Sequence, residues 1–228
     1  MKILHRNDVK RGGFAGLREY RLVTDKRLFG AYKSKETWNG IGNFVYLADA
    51  KFLPKGETEL HNHKEIDVIS VMVEGRIKHE GSLEHGKFID AGSVQVQRAG
   101  GEGFAHNEIN PDSTENRMIQ IWVLPETPKQ SAGYKLYAPE NGKITRVYGG
   151  QKNQEETFDS HTLIDVGIVL AGEHISLNVP VMIYIIRGKG ILNTQSVKDG
   201  DLIYDDKLEF MAKENTQIII IHLLNIKE

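Results

Sequence analysis

Apolar residues fall in short runs along this chain, and most runs close on a glycine. NFVYLADAKFL, VISVMVEGRIKHE and MIQIWVL are rich in β-branched and aromatic side chains, which fit a pleated, half-buried surface and predict strands. Glycines at positions 75, 81, 86, 92, 100, 101 and 103 stand where turns between those strands are needed. Between residues 40 and 124 no stretch of 12 or more residues holds a helical period. PETPKQSAGYKLYAPENGK then breaks the pattern with three prolines and few aliphatic residues, as a linker does. Strand signals resume in SHTLIDVGIVLAG, HISLNV, VMIYIIRGKGILN, DLIYD and TQIIIIHLL. VEGRIKHEG followed by AGSVQV is matched by IRGKGILN followed by DGDLIYD. In each case a strand ends in glycine, a hairpin follows, and a glycine opens the next strand. The chain is therefore read as an all-β internal duplication, two β-barrels of similar plan packed face to face. The expected boundaries are residues 1–125, a linker at 126–145, and residues 146–228. Helix is expected only as short pieces in the linker and near the C-terminal barrel.

Composition narrows the chemistry. The 228 residues contain no cysteine, so disulfides, thiolate ligands, iron–sulfur clusters and cysteine nucleophiles are excluded, and any metal must rest on nitrogen and oxygen. Lys plus Arg total 29 against 31 for Asp plus Glu, which advertises no direct nucleic-acid binding. The longest apolar runs, VPVMIYII and IIIIHLLNI, are far short of the roughly 20 residues that span a bilayer. The opening MKILHRNDVKRGG has basic residues without an apolar segment behind them. A cytoplasmic protein with no membrane partner is expected.

Two polar stretches carry the candidate chemistry, ELHNHKEID at 59–67 and GGEGFAHNEIN at 100–110. His61 and His63 are two apart, so on a strand they face the same side. His106 and Glu108 repeat that spacing. If the two strands are neighbours, three imidazoles and one carboxylate converge, a donor set suited to Fe(II), Ni, Zn or Mn with positions left for water or substrate. The same spacing also suits exposed polar strand residues, a turn at HNHKEID, and a His106 that caps a loop. Histidines 79, 85, 161, 174 and 222 form no such pair and read as unorganised. Val68, Ser70, Met72, Val94, Val96 and Ile121 are candidates for an apolar pocket wall, with the inward set left to strand register.

Residues 60–126, from LHNHKEIDVISVMVEGRIKHEGS through AGSVQVQRAGGEGFAHNEINPDSTENRMIQIWVLPE, resemble the pirin family of the cupin superfamily. The family pattern has an H-P-H segment, a strand ending in L-E-G, an H-x-D-S hairpin, an AGxxQxMxAGxGxxHSExN segment and QxWxxP. Here Asn62 replaces the proline, Asp67 stands where a glutamate is usual, and the hairpin reads HEGSLEHGK. The resemblance implies a bicupin of two jelly-roll-like barrels and one divalent metal, Fe(II) first, held by His61, His63, His106 and Glu108. It implies a dioxygenase of the quercetin 2,3-dioxygenase type. In that reaction a flavonol 3-hydroxyl binds the metal, O₂ adds across the central ring, and a depside and carbon monoxide leave. Glu108 would be the catalytic base that takes the hydroxyl proton. It also leaves open another small aromatic or enediol substrate, and a regulatory metal-binding module that acts through a protein partner. The second half lacks the ligand pattern and is expected to be a packing partner or lid, with His174 on the surface.

Overall fold

The computed structural model describes residues 1–225, which fall into two compact units, residues 9–138 and residues 1–8 with 139–225. Among the described residues each unit is built from two antiparallel sheets. In the first unit a seven-stranded sheet runs in the order Gly133–Tyr137, Val94–Arg98, Asp67–Glu74, Arg117–Val123, Phe44–Phe52, Leu17–Thr24, Arg11–Phe14. A four-stranded sheet runs His61–His63, Phe104–Ile109, Arg76–Gly81, Lys87–Asp90. The second unit repeats this plan. Its larger sheet runs Lys2–His5, Asp201–Asp205, Val181–Arg187, Thr216–Leu223, Ser160–Val169, Ile144–Gly150, and its smaller one His174–Leu177, Leu208–Ala212, Lys189–Leu192, Gln195–Lys198. The central order 94–98, 67–74, 117–123, 44–52 recurs as 201–205, 181–187, 216–223, 160–169. The architecture is all-β and bicupin-like, and the duplication seen in the turn pattern is a duplication of topology.

Every strand expected from the sequence is present. The helical pieces are short as expected, but among the described residues none lies in the linker, and only that at Arg6–Asp8 belongs with the C-terminal barrel. Residues Lys26–Phe29 form one helical turn, with 3-10 turns at Arg6–Asp8 and Gly30–Tyr32. Asp25 caps Lys26–Phe29 by accepting from the Arg27 backbone N–H, and its carboxylate also accepts from Gly40 N. The window 126–145 contains the strand Gly133–Tyr137, paired with Val94–Arg98, and the start of Ile144–Gly150. Residues 1–8 belong with the second unit, where Lys2–His5 pairs with Asp201–Asp205. Edge strands of four and five residues with mixed polarity give no alternation to read, which is why sequence periodicity passed over both segments. No described helix is long and apolar enough to cross a membrane.

The two units differ in what their smaller sheets turn inward. In the second unit Leu208, Phe210 and Ala212 join Ile183, Ile185, Ile218 and Ile220 in one apolar core. The corresponding strand of the first unit, Phe104–Ile109, turns Phe104, His106 and Glu108 to the same side. One unit thus has a filled interior, and the other a polar interior that needs partners.

Candidate metal centre

His61–His63 pairs antiparallel with Phe104–Ile109 in a register that sets His106 directly opposite His61 and Phe104 opposite His63. Residues opposite one another share a face, so the three histidines meet on the inner side while Asn62 is exposed. The ring centroids lie 4.9 Å apart for His61 and His63, 4.6 Å for His61 and His106, and 5.0 Å for His63 and His106. One nitrogen from each ring falls within 4.8 Å of the other two. The backbone permits this because Gly81 lies across the ladder from His106. A Cβ there would stand 2.2 Å from the Ala105 carbonyl oxygen.

The hydrogen bonds fix which nitrogens are free. His61 Nδ1 lies 2.9 Å from the Glu59 carbonyl oxygen, which can only accept, so Nδ1 carries the hydrogen and Nε2 a lone pair. His106 Nδ1 lies 3.1 Å from Gln97 Oε1, which leaves its Nε2 as a lone pair too. These two Nε2 atoms face each other at 3.1 Å. Two lone pairs at that distance repel, and a cation between them removes the conflict. His63 Nε2 is buried without a hydrogen-bond partner. Burial, with neighbouring His61 second, lowers the His63 pKa to about 4, and burial followed by the other histidines lowers His106 to about 2. His63 and His106 therefore offer neutral nitrogen at ordinary pH, the form a metal requires. The residues present therefore fit a divalent cation.

Glu108 is on the same face, two residues from His106, and fully buried. It stands apart from the three-nitrogen cluster. Ser70 Oγ donates to one carboxylate oxygen at 2.9 Å and Gln120 Nε2 to the other at 3.2 Å, both from the larger sheet. Burial outweighs these bonds and raises its pKa to about 7.

A cavity of about 430 Å³ opens onto His61, His63 and Gln120. Its aromatic wall is a stack: Tyr46 on Trp122 with centroids 4.2 Å apart, and Phe29 on Tyr46 at 5.9 Å. Leu28 and Phe14 lie at its rim, and Arg21 beside them donates to Glu19, which also accepts from the Tyr46 hydroxyl. Trp122 Nε1 has no partner. The wall expected from sequence is half corrected. Val68, Ser70 and Met72 share the inner face, but Val94, Val96 and Ile121 pair with Val71 and Ile69 and turn to the other side. Gln95, Gln97 and Gln120 come inward instead, so the interior is more polar than an alternation of apolar residues suggested. Sequence reasoning also passed over His79, Gln97, Phe29, Tyr46 and Trp122. For His79 a signal was available: buried Ile77 sits two residues before it on the same strand and sets its parity inward. His174 is exposed, and His222 is buried against Asp165 in the second unit.

The Pirin family signature matches residues 27–123, which includes all three histidines and Glu108. Over that stretch the chain is similar to the pirin family. A quercetin 2,3-dioxygenase from Escherichia coli is 25% identical over 178 residues, covering 72% of this chain and 74% of that protein. Among solved structures, the bacterial pirin YhhW from Escherichia coli in complex with nickel(II) is 18% identical with a TM-score of 0.84, covering 97% of this chain and 98% of that one. Quercetin 2,3-dioxygenase from Acinetobacter baumannii is 17% identical with a TM-score of 0.73, covering 100% of this chain and 87% of that one. At these identities the two structures speak for the fold. This chain carries a three-histidine cluster able to coordinate a divalent metal, a centre in keeping with a metal-dependent oxidoreductase.

Proposed function

We propose that this protein is a pirin and a metal-dependent dioxygenase that opens flavonols such as quercetin with O₂. His61, His63 and His106 hold one divalent ion, Fe(II) before Ni, Mn or Zn, and Glu108 serves as fourth ligand and base. The observation that carries the reading is the convergence of three histidine nitrogens, with a buried carboxyl whose pKa is about 7 two residues from His106 on the same strand face. The metal would supply Lewis-acid and redox chemistry toward a phenolic or enediol oxygen pair and O₂. The chain's own contribution is binding and proton handling. Phe29, Tyr46 and Trp122 give a flat wall on which an aromatic ring system stacks. The free Trp122 N–H offers a donor to a carbonyl oxygen on that ring. A carboxyl that titrates near 7 is matched to taking a phenolic proton at neutral pH. The Escherichia coli and Acinetobacter baumannii quercetin 2,3-dioxygenases support the substrate class.

The test is oxygen uptake by protein reconstituted separately with Fe(II), Ni, Mn and Zn against flavonols and small enediols. The expected result is uptake with quercetin, abolished in E108A while the circular-dichroism spectrum is unchanged. Uptake confined to enediols would replace the substrate, and no uptake with any metal would refute the enzymatic reading.

A further inference from the structure

Behind His106 lies a set of buried groups that the proposed chemistry leaves unused. His79 is fully buried on Arg76–Gly81, directly opposite Glu108 in the ladder. Its Nδ1 lies 3.1 Å from the Glu84 carbonyl oxygen. A carbonyl has no hydrogen to give, so His79 Nδ1 carries one, and in the neutral ring Nε2 is then an acceptor. Gln97 Nε2 is 3.0 Å from that nitrogen and must be the donor. This fixes the orientation of the Gln97 amide. Its Oε1 points the other way, where it accepts from Gln95 Nε2 at 3.1 Å and faces His106 Nδ1 at 3.1 Å. His106 is left one choice, hydrogen on Nδ1 and lone pair on Nε2, toward the centre of the cluster.

We propose that His79 and Gln97 are positioning residues for the metal centre: with the Glu84 carbonyl they form a one-way hydrogen-bond relay that locks His106 in the Nδ1–H tautomer and aims its Nε2 lone pair at the cation. The polarity originates in a backbone group that cannot reverse, and each buried member transmits it. The tautomer that a histidine side chain favours in water is the opposite one, so the protein must impose this form. His61 obtains the same form directly, from the Glu59 carbonyl. His106 Nδ1 meets Gln97 Oε1 instead and takes the instruction through two side chains. An outer partner of this kind orients a ligand and sets its basicity, and its loss typically weakens metal binding by about 10–100-fold.

The inference rests on the three-histidine site of the proposed function, but its first test needs neither metal nor turnover. Long-range ¹H–¹⁵N correlation of the imidazoles in ¹⁵N-labelled, metal-free full-length protein at neutral pH should show His79 and His106 each with hydrogen on Nδ1. Either ring with its hydrogen on Nε2, or exchanging between the two, overturns the relay. Gln97→Met keeps the length of the side chain and removes both polar ends. It should release His106 from the Nδ1–H form and weaken nickel(II) binding, read by calorimetry, by about 10–100-fold. Gln97→Glu still accepts from His106 Nδ1–H, so it should retain the His106 tautomer and the nickel(II) affinity while His79 gains a proton on Nε2. A packing role predicts the reverse order, with Gln97→Met like the native protein and Gln97→Glu the damaged one. That result would refute the proposal. If Gln97→Met does not fold, the native tautomers and Gln97→Glu decide. A protein with the expected tautomers that takes up no nickel(II) and no O₂ would refute the enzyme and leave the relay standing.

Discussion

In metal-free protein, Glu108 should act as a counterweight to the histidine cluster as the pH falls. The ring nitrogens of His63 and His106 refuse protons in the folded state, with pKa values near 4 and 2 against an ordinary 6.5. Below pH 6.5 the unfolded chain binds protons that the folded chain does not, so this contribution is present above 6.5 and is lost on acidification. At 1.36 kcal/mol per unit, moving from pH 7 to pH 5 costs about 2 kcal/mol for each ring, or about 4 together. Glu108 runs the other way. Its folded pKa of about 7 exceeds the ordinary 4.5, so the ionised carboxylate destabilises the fold above pH 7. Between 7 and 4.5 the folded state takes up a proton the unfolded state does not, and stability returns, by about 2 kcal/mol at pH 5. The native protein should therefore lose only about 2 kcal/mol from these groups over that interval, and E108Q about 4. Glutamine preserves the packing: its oxygen accepts from Ser70, and the Gln120 amide can turn to accept from its nitrogen. The assay is urea unfolding of chelator-treated protein at pH 7, 6 and 5, comparing the two slopes so that other titrating groups cancel. Parallel slopes for native and E108Q would refute the reasoning.

Three further outcomes follow from the geometry. H61A/H106A should retain the fold and lose the divalent ion found in native protein after exposure to nickel(II) or Fe(II), measured by elemental analysis; equal content in both would refute the ligand set. Gly81→Ala should destabilise the first unit by about 1–3 kcal/mol and weaken nickel(II) uptake, because the added Cβ meets the Ala105 carbonyl at 2.2 Å and pushes the His106 strand away. Arg21→Met should cost about 1–3 kcal/mol in urea unfolding by leaving the buried Glu19 carboxylate with Tyr46 as its remaining hydrogen-bond donor of the two, and E19Q in the same chain should restore most of it.

Much of this was legible in the sequence, and the reasons are local. A strand side-chain period of two makes H-x-H and H-x-E meaningful, and glycine turns mark where strands end, so the all-β duplication could be read from spacing, and spacing together with the resemblance to the pirin family picked out the three histidines. What could not be read was register. Val94, Val96 and Ile121 look like pocket wall by composition, yet their strands are buried on both sides and present Gln95, Gln97 and Gln120 to the interior. An apolar residue signals burial and says nothing about which buried face it takes. His79 failed for a related reason: it stands alone in sequence and acquires its meaning from Gln97 and Glu84, whose proximity is a product of tertiary folding. The aromatic wall comes from three separate segments, at residues 29, 46 and 122, so no local pattern announces it.

Two of the three histidines sit on His61–His63, the outermost strand of its sheet and three residues long. Such a strand is joined to the rest by few hydrogen bonds and frays at a small fraction of the free energy of global unfolding. When it lifts, His61 and His63 leave together and His106 remains on an interior strand. Dissociation of the ion is then set by local fraying, and exchange with the surroundings can be fast while the unit stays folded. In hydrogen-exchange terms, the amides of residues 61–63 should be the ones that an added metal slows most, and they should set the rate at which one ion replaces another.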